Sequence, residues 1–443
     1  MHVIIVGGGA DGAYLAERLI AEGEDVAVIE SDRVRATALR GRLDALVVTG
    51  NGANPSVQRS AGADRAELLL AVSNDDGVNV LASQTARSLG IPRTVTRLEN
   101  PEIESVVAEL GIEEVVDPRQ VVARQLVRLI DRPGLSDWFQ FGDGKITIIG
   151  GIVGPDSALV GERLMDVRSS FRGWDCVISS IVRDDLTLVG AGDTVVEVFD
   201  KVLVSVPTED ERRAGELIGL SREKISRVIV VGGGRVAEIT ARLLREDGKQ
   251  VILIHNREDR AREIAERQSR FDVVVADATD PGALSTLGVS KGDAIAALTR
   301  DDARNILACL IGDAMGASAT VARYNRLDLF DLISIPGIDA GVSTEVAAAN
   351  EMLRFVRRGA YMSAVNFMTG DVEAVEIELE EGAPVVGKTI AELERPEGMV
   401  IGGVLRDGKA IVPRGATQFA VGDRVVVFLI PDIAAAVEKM FTV

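Results

Sequence analysis

The chain is short of the residues on which most catalytic and metal sites depend. Of its 443 residues, two are cysteine, two are histidine and 4% are aromatic. Cys176 and Cys309 are too few and too far apart for a disulfide scaffold or a thiolate metal site, and read as small buried apolar residues. His2 begins an apolar run and His255 ends one, so neither is placed as a general base facing a substrate pocket. No cluster with metal-ligand spacing is present. Nowhere do about 18 or more apolar residues follow one another, so no segment is suited to cross a bilayer as a helix. The first residues show no basic stretch leading into an apolar one, and the expected location is the cytoplasm. Positive charge is scarce too: 49 Lys and Arg stand against 68 Asp and Glu, a net −19. That balance argues against a nucleic-acid partner and against a polybasic membrane-surface protein.

What the chain does have is aliphatic residues, in a 47% hydrophobic composition. Cores built from Val, Ile, Leu and Ala suit parallel α/β sheets. At about 100–200 residues per domain, the length predicts three or four domains. It also contains a repeat of about half its length. Gly7 in "HVIIVGGGADG" falls on Gly232 in "RVIVVGGGRVA", an offset of 225. With the offset at 226, Ala61–Ser83 lies on Leu287–Cys309 and Arg97 on Arg323; at 223, Val182 lies on Leu405. A repeat this long is a duplication, not a solenoid.

Within the first half, apolar runs (Val3–Val6, Val26–Ile29, Leu46–Val48, Leu68–Val72, Thr94–Arg97) alternate with helical patterns such as Ala13–Ala21 and Val78–Leu89. That is the rhythm of a doubly wound sheet. After a break at "DRPGLSD" come shorter strand patterns (Ile146–Ile149, Val177–Val182, Val202–Val206) and one short helix after Gly161. The predicted class is therefore α/β: two Rossmann-like doubly wound parallel-sheet domains at 1–131 and 225–358, each followed by a small α+β module, at 136–210 and 366–443.

The chemistry sits at the strand–helix turns. "GGGADG" (Gly7, Gly8, Gly9, Ala10, Asp11, Gly12) has G-x-G-x-x-G spacing, which lets a backbone approach a pyrophosphate while the helix N-terminus offers N–H groups to it. Glu30 ends the second strand, where a carboxylate accepts both ribose hydroxyls of NAD(H) and repels a 2′-phosphate. A Rossmann turn with no ligand is the alternative. Asp11 is out of pattern, since a carboxylate near phosphates repels them. In the second copy, Gly232, Gly233 and Gly234 are kept, Arg235 and Val236 follow, and Ala237 replaces the third glycine. His255 and Asn256 stand where the ribose carboxylate would be, so this crevice is expected to take ATP or ADP, or NAD(H), or to stay empty. Other strand ends complete the two crevices: Gly50, Asn51, Ser73, Asn74 and Arg97 in the first; Ala276, Asp277, Thr299, Arg300 and Arg323 in the second.

The order of parts, with "TGNGANPSVQRSAGADRAELLLAVSNDD" in one half and "VRRGAYMSAV" and "PEGMVIGGVLRDGKAIVPRGATQFAVGDRVVVFL" in the other, resembles the Trk potassium-uptake family of tandem RCK/KTN proteins. The resemblance implies RCK N-terminal and RCK C-terminal domains in each half and no catalysis. It also implies a regulatory gating ring, expected as a homotetramer on the inner face of the membrane, that binds NAD(H) or adenine nucleotides and controls a Trk-type potassium channel or transporter subunit. The competing reading is an NAD(P)-dependent oxidoreductase with duplicated Rossmann domains. That reading needs an acid or base positioned over one cofactor, which the inventory above does not supply.

Overall fold

The computed structural model describes the chain from Met1 to Val443 apart from residues 22, 113, 171–174, 184–185, 190–191, 221–223, 327–336, 357–360 and 367–371. It divides into two compact units, Met1–Val122 with Ser343–Arg357, and Ala123–Val342 with Arg358–Val443.

The first unit is built on a six-stranded sheet. In chain order it runs β1 (His2–Val6), α1 (Ala10–Ala21), β2 (Asp25–Glu30), α2 (Arg33–Arg42), β3 (Leu46–Thr49), α3 (Pro55–Ser60), β4 (Leu68–Ala71), α4 (Asp76–Ser88), β5 (Arg93–Arg97), α5 (Glu104–Glu109) and β6 (Glu114–Val116). Strand order is β3-β2-β1-β4-β5-β6 and every pairing is parallel. β1 is buried along its whole length, as a central strand covered on both faces must be. Helices cover both faces, α1 burying Ala13, Leu15, Ala16 and Leu19. Asp32 and Asp75 cap α2 and α4 by accepting from the N–H of Arg35 and Val78.

One side of this core is completed by a distant piece of sequence. The helix Thr344–Val356 contributes Ala349, Met352, Leu353 and Val356 to the cluster that holds Leu15, Leu19, Val28 and Leu70. The sequence pattern puts this stretch with the second sheet. Its apolar face would suit either sheet, and local periodicity does not say which surface a face will meet.

The second unit begins within α6 (Pro118–Ile130) and continues with β7 (Leu135–Phe141), β8 (Ile146–Ile152), α7 (Leu164–Ser170), β9 (Val177–Arg183), β10 (Leu186–Val189), β11 (Lys201–Pro207) and α8 (Glu211–Ile218). These strands form an antiparallel sheet in the order β10-β9-β11-β8-β7. The guanidinium groups of Arg128 and Arg132 each lie over the ring of Trp138 of β7, 4.9 and 4.7 Å from its centroid.

A second doubly wound sheet follows: β12 (Arg227–Val231), α9 (Arg235–Glu246), β13 (Gln250–His255), α10 (Glu258–Arg267), β14 (Asp272–Val275), α11 (Pro281–Thr286), β15 (Asp293–Ala297), α12 (Asp302–Ala314), β16 (Ala319–Tyr324) and β17 (Ala340–Ser343). Its order, β14-β13-β12-β15-β16-β17, reproduces that of the first sheet. The chain ends in β18 (Tyr361–Asn366), β19 (Glu373–Glu378), β20 (Met399–Arg406), β21 (Lys409–Ile411), β22 (Arg424–Leu429) and the helix Ala434–Phe441, with strand order β18-β19-β22-β20-β21. Phe141, Ile148 and Leu203 of the earlier small sheet share a core with Val400, Val426 and Phe428 of this one.

The duplication extends to single hydrogen bonds. Arg183 grips Asp200 through Nε and Nη2, both at 2.7 Å, and Arg406 grips Asp423 in the same way at the same distances. Each aspartate also accepts a backbone N–H at 2.8 Å, from Glu197 and Ala420 respectively. Both carboxylates are buried, and the fork of an arginine is the geometry that makes such a charge tolerable.

Candidate functional site

Two crevices lie at the carboxyl ends of the parallel strands, where the order of each doubly wound sheet reverses between its first and fourth strands. In the first, Gly7 leaves β1 with φ +107°, and a Cβ there would stand 2.8 Å from the backbone of Ser73. A Cβ on Gly8 would reach within 2.4 Å of the Leu39 side chain, and one on Gly12 within 1.8 Å of the Gly7 carbonyl oxygen. The fold itself demands glycine at 7 and 12, where the obstacle is backbone, whereas at 8 it is the end of the Leu39 side chain. Gly9 is different. Its φ is not left-handed, and a Cβ would meet nothing within 4 Å.

The second turn repeats the distinction. Gly232 has φ +112°, and a Cβ on Gly233 would press on Ile264 at 2.5 Å and His255 at 2.9 Å. Gly234, at φ −80° and ψ 170°, again faces open space. Two glycines that no neighbour requires, each at the start of a helix, leave a backbone cradle that a side chain would fill. A pyrophosphate fits such a cradle.

Glu30 closes the first turn from below. It is 4% exposed and accepts from the N–H of Gly8 at 2.8 Å, the N–H of Asp32 at 2.7 Å and Nη2 of Arg35 at 3.3 Å. Burial pushes its carboxyl up, but the bonds from Asp32, Arg35 and Gly8 outweigh this and hold it below the ordinary glutamate value. The carboxylate is thus ionised and oriented, although part of its hydrogen-bonding capacity already serves the protein. At the matching place His255 Nδ1 accepts the N–H of Arg257 at 3.0 Å, and Asn256 is exposed.

Asp11, in the first turn of α1, is ion-paired with Arg97 from the end of β5, and Arg97 also pairs with Glu99. Asn74, beyond β4, stands 3.4 Å from Nη1 of the same arginine. Burial, with Glu345 and Glu99 acting in the same direction, raises the Asp11 carboxyl to about 6 against the pull of Arg97. Ala10 is exposed beside it.

The remaining predicted residues mostly shape their own loops. Ser73 Oγ donates to Oδ1 of Asn79 at 2.7 Å, and Thr299 Oγ1 donates to Asn305 at 2.7 Å. Asn51 accepts the N–H of Ala53 at 2.9 Å, and Asp277 accepts from Thr279 and pairs with Arg304 at 3.2 Å. A Cβ on Gly50 would touch Val57 at 2.9 Å. Arg235 and Arg300 are exposed at the second crevice, Val236 is buried, and Arg323 donates to Asn325 at 3.0 Å.

Asn79 and Asn305 carry a role that motif reading overlooks. Each amide spans two strand ends, donating to the carbonyls of Ser73 and Arg97, and of Thr299 and Arg323. Their signal is their recurrence at the same place in both repeats. Glu99, the second acid on Arg97, carried no motif.

The TrkA-N domain model matches residues 3–118 and 228–344, and the TrkA-C domain model matches 152–219 and 374–442. The Trk system potassium uptake protein TrkA of Azorhizobium caulinodans is 30% identical over 453 residues, with 100% of this chain and 99% of that one covered. Its namesake from Halomonas elongata is 31% identical over 456 residues, with 100% and 99% covered. Among solved structures, the GsuK channel bound to NAD superposes with TM-score 0.59 at 19% identity, covering 99% of this chain and 78% of that one. GsuK bound to ADP gives 0.50 at 18% identity, covering 80% and 69%. At these identities the structures show the shared fold; the family rests on the paired domain matches and the full-length relatives. The chain belongs to the TrkA family, with a TrkA-N and a TrkA-C domain in each half.

Proposed function

We propose that the chain is the nucleotide-binding regulatory subunit of a potassium uptake system, acting on a membrane channel or transporter subunit and catalysing no reaction itself. The observation that carries the nucleotide part is the pair of open cradles at Gly9 and Gly234. The relatives' name, Trk system potassium uptake protein TrkA, carries the rest. Among the described residues no helix is long and apolar enough to cross a membrane, and no group of His, Cys, Asp and Glu is arranged to hold a metal ion. The working assembly is a homotetramer docked on the inner face of the membrane through its partner, with one nucleotide domain at 1–131 completed by the helix Thr344–Val356, a second from 225 to 343, and smaller modules at 136–210 and 366–443. A bound nucleotide shifts such an assembly only by favouring one of its conformations over another.

The crevices differ in ligand. Glu30 gives the first a carboxylate for ribose hydroxyls, which favours NAD(H) there. The second has no carboxylate at that place but has Arg235, Arg300 and Arg323, which suits the greater phosphate charge of ATP or ADP. Charge-assisted phosphate contacts contribute about 1.5–3 kcal/mol each. Arg235→Ala is therefore expected to weaken ATP more than ADP and to leave NADH unchanged, read by competition binding on the full chain. The functional test is potassium flux through the co-purified membrane subunit, with and without this chain and each nucleotide. Flux that responds to neither contradicts the proposal.

A further inference from the structure

The ion pair between Asp11 and Arg97 lies across the place where a ligand would enter. Asp11 belongs to α1, which follows β1, and Arg97 ends β5, so their bond passes over the end of β4, the point of sheet reversal. Each side chain is 12% exposed. Glu99 holds the other arm of the guanidinium and is itself gripped by Arg119. The guanidinium Nε is buried and has no hydrogen-bond partner among the described residues, a donor left over by an arrangement already rich in acids.

The duplicated half shows which of these parts the fold requires. Asp76 accepts the N–H groups of Glu99 and Asn100, at 3.0 and 2.9 Å, just as Asp302 accepts those of Asn325 and Arg326, both at 3.1 Å. The first residues after β5 and after β16 are therefore held in the same way, and Glu99 stands where the second half has Asn325. Arg97 corresponds to Arg323 and Asp11 to Val236. The arginine is common to both halves, whereas Val236 and Asn325 stand in the second half where the first has Asp11 and Glu99.

We propose that Asp11 is a latch that sets the affinity of the first crevice for its ligand. It acts as an internal anion that occupies Arg97, and a phosphate-bearing ligand binds the first crevice by taking that arginine over. This rests on the nucleotide reading above. The charged groups facing Asp11 are Arg97 on β5, Glu99 beyond it and Glu345 of the helix Thr344–Val356. Two acids close by and a buried setting favour the protonated form. Losing Arg97 to a ligand, and gaining a phosphate as neighbour, favours it more. Ligand affinity is thus expected to rise as pH falls from 8 towards 6, since protonation removes the competitor.

NADH is the suitable probe, because its pyrophosphate does not titrate in this range. Binding is measured on the full chain between pH 6 and 8, and the first-crevice component is the part that Gly9→Val abolishes. Asp11→Asn is expected to strengthen that component about fivefold or more at pH 8 and to flatten its pH dependence. Glu99→Gln is expected to shift it in the same direction by less. If Asp11→Val, which installs the residue of the second half, folds better than Asp11→Asn, it serves as the replacement. A purely structural ion pair would instead lower thermal stability in Asp11→Asn while leaving NADH affinity and its pH profile as in wild type, which overturns the latch and spares the nucleotide reading. Absence of any Gly9-dependent NADH binding, in wild type and variants alike, overturns both.

Discussion

Residues at turns record the conformation that the chain must adopt, and the duplicated half shows which of them are forced. Phe199 has φ +72° and is 69% exposed, in a turn whose counterpart uses Gly422 at φ +82°. The surrounding bonds match: Phe199 N–H donates to Val153 and Gly422 N–H to Leu379, at 2.9 and 2.8 Å. A left-handed conformation costs a residue with a side chain roughly 1–2 kcal/mol, partly offset by the greater freedom glycine has when unfolded. Phe199→Gly is expected to raise stability by about 0.5–1 kcal/mol, as read from the denaturation midpoint. At this scale the sequence was legible for Gly7, Gly12 and Glu30, because spacing carries backbone geometry. It was silent on what meets Asp11, since Arg97 is 86 residues away along the chain and only the sheet brings the two together.

At the level of elements, the apolar runs read in the first half of the chain lie close to observed strands. The predicted Val26–Ile29 lies within the observed Asp25–Glu30, and Val177–Val182 within Val177–Arg183. Short or irregular strands escaped: Glu114–Val116 has three residues, and Leu135–Phe141 begins inside the Pro-Gly break that marked a boundary. The placement of Thr344–Val356 was also hidden, for the reason given by its ambiguous apolar face. Met352 is fully buried in the first unit's core, and Met352→Ala is expected to cost about 2–5 kcal/mol. Hydrogen exchange should locate the loss in β1, α1 and β4. Loss confined to β12 and β15 instead would contradict this packing. A fragment ending before residue 343 lacks this helix, so binding measurements belong on the full chain.

For the molecule as a whole, two copies of one nucleotide-type crevice and two small modules in one chain suit a sensor better than an enzyme, because the differences between the copies are differences in charge around a shared cradle. The central claim is that Gly9 and Gly234 are glycines for the sake of a ligand. The most direct measurement is calorimetric titration of the full chain with NADH, ADP and ATP, comparing wild type with the Gly9→Val, Gly234→Val double variant. Because a Cβ at either position meets nothing within 4 Å, thermal stability is expected to stay close to wild type. The wild-type chain is expected to bind, and the double variant to lose at least about tenfold in affinity for all three. A well-folded double variant that binds these nucleotides as tightly as wild type would contradict it.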